Sequence, residues 1–424
     1  MVGRRGGDSG RCLRAGSCHS WADTIALMLR PVLITSLLLL ATSSTWTAFA
    51  KAPRLAGVET AMEGMIARNE IAGAVTVVVS KNKILHLEGS GFADVATRRP
   101  MTADTLFWIA SMTKPITGTA VLMLQDEGKL KVSDPVAKYL PEFAQLRTPS
   151  GKPANLTIAQ LLTHTSGLGE ASAPAAQAAR TLADLVPIWL AAPMQYEPGE
   201  QWRYTQSGIN AAARIVEVVS GKPFDVFLSE RLFRPLGMVR TTFYPTSAER
   251  AGLATAYQKK AEGSGLEAVP PRADYGQPDR PPRGNGGLYS TAADYARFCQ
   301  MLLNGGRYHG KRYLSAAALK YLTTPQTGEL PVGFFQNDTF GQHGLKYGWG
   351  LGTCILKTPH SGVASMLSPG TYGHGGAWGT QAWIDPVKGV AYVLMVQRSN
   401  FPNSDASEVR RVFQESAAQA LAGR

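Results

Sequence analysis

Ile109-Ala110-Ser111-Met112-Thr113-Lys114-Pro115, running into the apolar stretch Ile116 to Leu124, is the segment on which the reading of this chain turns. The stretch is predicted to be helical, and Pro115 suits a first turn, where its missing N–H costs nothing. Ser111 and Lys114 then lie one turn apart on the same face, with Cβ atoms roughly 5–6 Å from each other. A lysine amine so placed takes a proton from the serine and turns it into a nucleophile. The helix N-terminus adds free N–H groups and a partial positive charge beside the serine. Taken alone, the same residues also describe a surface serine and lysine that share a helix face.

Two further segments carry fitting chemistry. Tyr204-Thr205-Gln206-Ser207-Gly208 follows the turn Glu197-Pro198-Gly199-Glu200 and precedes a helix predicted over Asn210 to Val219. Tyr204 is a candidate for sharing proton traffic with Lys114, and Gln206 for binding a substrate carbonyl; a structural tyrosine is the competing reading. His374-Gly375-Gly376-Ala377-Trp378-Gly379 leads into a strand. Its glycines let a ligand lie along the strand edge without side-chain obstruction. The Ala377 N–H, with that of Ser111, is a candidate oxyanion hole. A Gly-rich β-turn accounts for the same residues without any ligand.

Organisation follows from periodicity. Ala56 to Arg68 is predicted as an amphipathic helix, and Gly73 to Ser80 with Ile84 to Gly91 as a hairpin across Lys81-Asn82-Lys83. A second hairpin joins Gly379–Asp385 to Val390–Gln397, and a last helix runs from Asp405 to about Leu421. Strands at both ends with helices between predict one antiparallel sheet built from the two termini, with a mostly helical insertion. Gln258 to Gly287 has no periodicity and is predicted as a long loop of the kind that walls active sites.

The first 50 residues are set apart. Arg30 precedes the apolar run Val32 to Ala41, and Ala48-Phe49-Ala50 supplies small residues for cleavage after Ala50, a secretory layout. The polar stretch ahead of it points to Met28 as the working start. The apolar run is shorter than the roughly 20 residues that span a bilayer, so no stable membrane anchor is expected after cleavage. Export to a periplasmic or extracellular space is the expectation. Removing residues 1–50 leaves 38 basic against 29 acidic residues, a net charge of +9 that favours anionic envelope surfaces. No basic run interleaved with aromatics speaks for nucleic acid. Cys299 and Cys354 remain in the mature chain, and no disulfide is predicted from them.

In this order and at these separations, the three segments resemble the serine β-lactamase and penicillin-binding-protein superfamily, in particular its class C β-lactamase-like branch. That branch includes secreted esterases and D-amino-acid peptidases. The resemblance covers about Leu55 to Leu421. Leu161-Leu162-Thr163-His164-Thr165-Ser166-Gly167-Leu168 and Gly286-Gly287-Leu288-Tyr289-Ser290-Thr291 agree with it. The resemblance implies an α+β, three-layer fold: a central antiparallel sheet built from the N- and C-terminal segments, flanked by helices, with an inserted helical region. Residues 51–424 are read as one catalytic domain, its α/β part about 51–110 and 285–424 and its helical part about 115–285. By the same resemblance Ser111 is the nucleophile, Lys114 its base, and Tyr204 the proton shuttle to leaving group and water. Ser111 and Ala377 supply the oxyanion hole, and Gln206, His374, Gly375, Gly376 and Trp378 bind substrate. No metal or cofactor is implied.

Two departures matter. Gln206 stands where the family's second motif has Asn, moving the amide by one methylene. His374-Gly375-Gly376 stands where class C β-lactamases have Lys-Thr-Gly, and a neutral histidine offers a donor without full charge. Both weigh against a β-lactam and towards a short-chain ester or related amide. A β-lactamase or D-alanyl peptidase acting on envelope peptide is the second reading, and a non-turnover penicillin-binding sensor the third. The remaining candidates have plainer readings. His164-Thr165-Ser166-Gly167 is a structural turn, and the spacings of His343, His360 and His374 fit no common metal-ligand pattern. Trp349 is placed on a strand edge near the site and Trp378 against the acyl pocket, whereas Phe107 and Trp108 are assigned to the core.

Overall fold

Gly73–Ser80 reads GAVTVVVS, and a run of β-branched residues this dense forms a strand covered on both faces. The computed structural model describes residues 53–423 apart from 171, 262–264, 271–276, 278, 334–343, 363–364 and 402–404. The expected secretory segment with its cleavage point, Met28 and His343 therefore lie outside the described residues. In chain order the large sheet comprises β1 (Gly73–Ser80), β2 (Ile84–Asp94), β3 (Arg99–Pro100), β4 (Tyr347–Trp349), β5 (Cys354–Leu356), β6 (Tyr372–Gly375), β7 (Gln381–Asp385) and β8 (Val390–Met395). Its spatial order is β4-β5-β6-β7-β8-β1-β2-β3, antiparallel throughout. The termini meet where β1 pairs with β8, Val75 opposite Met395 and Val77 opposite Val393.

The alternation of a strand sorts these residues into two cores. Val75, Val77 and Val79 of β1, with Ala391, Val393 and Met395 of β8, face the helical region. Ala74, Val78, Val390, Tyr392 and Leu394 face the other way, onto α1 (Val58–Ala67) and a C-terminal helix, Glu408–Ala422. On the helical side, α2 (Thr113–Asp126) is buried from Thr113 to Leu124 and packs against α3 (Ser207–Ser220). The helix α4 (Ala292–Leu303) covers β1 and β8. The result is the expected antiparallel sheet between helical layers.

Two local expectations are corrected. The described part of Gln258–Gly287 is not all loop: Tyr257–Lys259 pairs with Leu266–Ala268, Tyr257 opposite Ala268. Tyr257 is also tied to the end of the sheet, its N–H donating to the Gln397 carbonyl at 3.0 Å and its carbonyl accepting from Ser399 N–H at 2.8 Å. That partner is remote in sequence, so local periodicity could not reveal it. The strand expected from Gly379 starts at Gln381, because Gly376 to Thr380 form a closed turn with Gly379 at φ +90°.

Candidate active site

A short ribbon delivers the Ser-Met-Thr-Lys segment. Phe107–Trp108 pairs with Tyr289–Ser290, and the Ile109 N–H donates to the Leu288 carbonyl at 3.1 Å. The chain then bends at Ala110, whose φ of +44° lies in the left-handed region. For a residue with a Cβ that conformation costs on the order of 1–3 kcal/mol and persists only when neighbours enforce it. Here they do. Thr113 Oγ1 donates to the Ala110 carbonyl at 2.7 Å and accepts from Leu288 N–H at 3.3 Å, while Tyr295 Oη donates to the Met112 carbonyl at 2.9 Å. A single tight turn, Ala110–Met112, then leads into α2.

Lys114 is fully buried. Its Nζ lies 2.8 Å from the Asn285 carbonyl, 3.0 Å from Ser111 Oγ and 3.1 Å from Gln206 Oε1. Burial drives its pKa down from 10.5 to about 7; the more distant charges of Glu170 and Asp405 act in the opposite sense and do not offset it. A neutral amine has two hydrogens and one lone pair. The two carbonyl-type oxygens can only accept, so they take the hydrogens, and the lone pair is left facing the Ser111 hydroxyl. The Tyr204 ring, 4.5 Å from Nζ, is placed to favour the ammonium once a proton arrives.

Tyr204 is held between two histidines. Burial raises its phenol well above the ordinary value, so it remains protonated. His374 Nδ1 lies 2.6 Å from the Gly375 carbonyl and must carry the hydrogen of that bond. Its Nε2 is therefore an acceptor, 3.4 Å from Tyr204 Oη. Burial, then the charge of Lys114, push the His374 pKa down to about 3, so the imidazole is neutral. On the other side, His164 Nδ1 accepts from the Thr205 N–H at 3.2 Å and the His164 carbonyl from the Arg203 N–H at 3.0 Å. Both neighbours of Tyr204 are thus fixed by one residue. Its ring centroid is 4.6 Å from that of Tyr204 and 5.0 Å from that of Trp349.

The third segment closes the site. His374 and Gly375 end β6, and Gly376 receives no side chain without conflict: a Cβ there would stand 2.6 Å from the Ile109 carbonyl oxygen. Gly376 N–H donates to the Thr380 carbonyl at 2.7 Å, and among the described residues no backbone carbonyl accepts from the next N–H, that of Ala377. A cavity of about 350 Å³ opens beside Ser111, lined by Gln206, Asn285, Arg283, Trp108 and Ala377 among others. The structure thus brings Ser111, Lys114, Tyr204, Gln206, His374 and Ala377 together. Trp378 stands slightly apart, lining a neighbouring cavity and meeting Trp108 edge to face at a centroid distance of 4.9 Å.

The beta-lactamase family model matches residues 58–417. The chain belongs to the beta-lactamase family. An uncharacterised protein of Mycobacterium tuberculosis (strain CDC 1551 / Oshkosh) is 32% identical to it over 366 residues, 80% of this chain and 88% of that protein. Esterase EstB of Burkholderia gladioli is 27% identical over 373 residues, 80% of this chain and 89% of that one. The solved structure of EstCE1, described as a hydrolase with promiscuous acyltransferase activity, matches with a TM-score of 0.72 at 22% identity, covering 85% of this chain and 97% of its own. The expected superfamily and fold are both borne out. In general terms the chain is a serine hydrolase.

The family motifs did not reveal everything that touches the site. Phe107 is core as expected, but Trp108 is only partly buried, lines the Ser111 cavity and donates from Nε1 to the Gly286 carbonyl at 2.8 Å. Phe107 and Trp108 are consecutive in a strand, so their side chains point to opposite faces and only Phe107 is buried. Asn285 escaped notice although it immediately precedes the Gly286-Gly287 motif. It accepts from Lys114 through its carbonyl and donates from Nδ2 to Gln206 Oε1 at 2.8 Å. Glu170 caps α3, its carboxylate accepting from Gln206 N–H and, at 2.9 Å, from Ser207 Oγ. No local signal ties it to a helix that starts 37 residues later.

Proposed function

We propose that this protein hydrolyses carboxylic esters through a covalent acyl-enzyme on Ser111. The observation that carries the reading is the buried Lys114 amine, 3.0 Å from Ser111 Oγ, with its pKa lowered to about 7. A general base works best with a pKa near the operating pH. Neutral Lys114 takes the Ser111 proton as Oγ attacks the ester carbonyl, and the developing oxyanion is received by the N–H groups of Ser111 and Ala377. The Lys114 proton then passes by way of Tyr204 to the departing alkoxide, which breaks the C–O bond and leaves the acyl group on Ser111. Tyr204 acts as a donor rather than a base because its phenol stays protonated. Water, activated by the same groups in reverse, releases the acid and restores the serine.

An ester is favoured over a β-lactam by the two motif departures. Gln206 Oε1 is committed to Lys114 and Asn285, which leaves its amide hydrogens as the part that meets a substrate. His374 is neutral and tied to Gly375 and Tyr204, so no full positive charge stands where class C β-lactamases have lysine. The kinship to an esterase points the same way. The test compares purified wild type and Ser111→Ala on p-nitrophenyl butyrate, a chromogenic cephalosporin and a D-Ala-D-Ala peptide. Wild type should prefer the ester, and Ser111→Ala should fall below about a thousandth of its rate with an unchanged fold. Faster cephalosporin or peptide turnover would move the assignment to that substrate.

A further inference from the structure

Beyond the Trp108–Trp378 pair lies a second cavity of about 700 Å³, within the range of ligand-sized pockets. Leu253, Ala254, Ala256, Val269 and the two tryptophans supply its apolar wall. The polar side chains that reach it are engaged with protein. Asp94 accepts from Thr97 N–H at 2.8 Å, Thr97 Oγ1 at 2.7 Å and Thr255 Oγ1 at 2.6 Å. Arg99 donates to the carbonyls of Gly252 and Leu253 at 3.0 and 2.6 Å, and Gln397 Nε2 to that of Trp108 at 3.0 Å. Arg250 donates to the Pro245 carbonyl at 2.7 Å and to Ser247 Oγ at 2.9 Å. A ligand there meets a hydrocarbon wall and charged groups already bonded to protein, which favours an uncharged apolar chain.

Two facts connect this cavity to the reaction. Trp108 and Tyr289 line both cavities, and Trp378 directly follows Ala377, the oxyanion candidate. None of Lys114, Tyr204, Gln206 or His374 lines the second one. The leaving alkoxide needs a proton from that group and so must face it, which leaves the other arm of the ester to point towards the tryptophans. We infer that the second cavity is an acyl-chain site, extending the substrate range from short esters to those of medium-length aliphatic acids, with Trp108 and Trp378 as its entrance. This rests on the ester-hydrolase reading above.

The experiment has two arms. In the first, kcat/KM is measured for p-nitrophenyl acetate, butyrate and octanoate with wild type, Ala254→Phe and Ala268→Phe. Ala268 is an exposed lining residue, so its replacement spares the fold. Wild type should gain about tenfold from acetate to octanoate, and each variant should lose that gain while keeping acetate within about twofold. In the second, octanamide and acetamide are titrated calorimetrically into Ser111→Ala, with and without Ala268→Phe. Octanamide should bind only where Ala268 is retained. Turnover of esters with no chain-length gain and no octanamide binding would overturn the acyl site while leaving the hydrolase reading intact. Octanamide binding blocked by Ala268→Phe, in a protein that cleaves no ester, would uphold the cavity and refute the hydrolase reading. Octanamide binding equally well to both forms would overturn the site.

Discussion

Replacing Lys114 by Met removes the buried amine while keeping a chain of similar length, and its consequence for stability is best read against pH. In the folded protein Lys114 titrates near about 7 instead of 10.5. Between those values the unfolded chain binds a proton at this position that the folded one does not, so wild-type stability rises with pH there. The slope is about 1.4 kcal/mol per pH unit. From pH 7 to pH 10 the wild type should therefore gain about 4 kcal/mol relative to Lys114→Met. Below pH 7 both states hold the proton, and the difference should be flat. The bonds lost to Ser111, Gln206 and Asn285 involve groups that do not titrate, so they displace the curve without tilting it. Tyr204 and His374 do not intrude either, one held protonated well above its usual range and the other neutral down to about pH 3. The assay is denaturant unfolding of both proteins at matched pH values, paired with kcat/KM for p-nitrophenyl butyrate. The rate should rise through an apparent pKa of about 7 as the amine loses its proton. A stability difference that stays constant from pH 7 to 10 would show an ordinary, charged lysine, and the base assignment would fall with it.

Two other substitutions probe the geometry. Gly376→Ala puts a Cβ 2.6 Å from the Ile109 carbonyl and 2.1 Å from Thr380 Oγ1. Overpacking of this kind costs about 1–3 kcal/mol, so the melting temperature should drop by several degrees and kcat should fall at least tenfold as the strand is pushed from Ser111; an unchanged melt and rate would refute the close approach. His164 sits at φ +62° and accepts from the Thr205 N–H. His164→Asn keeps an acceptor and tolerates that backbone, whereas His164→Phe keeps the ring and loses the bond. The Asn variant should retain about tenfold more kcat than the Phe variant at similar KM, and the reverse order would assign the role to ring packing alone.

The sheet was readable because its strands announce themselves locally. Gly73–Ser80 is bounded in the structure as predicted, and the arm expected from Val390 to Gln397 is a strand over Val390–Met395. What joins them is not local, yet termini that both end in strands leave few alternatives. The three motifs were legible for a different reason: each needs a particular residue at a particular place, a glycine where Ile109 comes close or a lysine one turn from a serine. Trp108, Asn285 and Glu170 carry no such demand in their own surroundings. Asn285 matters because its carbonyl reaches an amine 171 residues away, and any residue has a carbonyl.

The same distinction separates what Lys114 is from what it does. Its identity and spacing were plain from the chain, but an exposed Ser-x-x-Lys pair would hold an ammonium, with no lone pair to offer. Neutrality comes from complete burial by α3, the Asn285 segment and the Tyr204 ring, brought over the amine from widely separated parts of the sequence. Asn285 and Gln206 then orient what burial has made available, since acceptors on two sides leave the lone pair only the serine to face. The proposed selectivity follows the same logic at His374, where burial keeps the imidazole uncharged at the position that holds a lysine in class C β-lactamases. The motif therefore states which atoms can react. The packing around it decides their protonation states, and the proposed preference for an ester rests on those states.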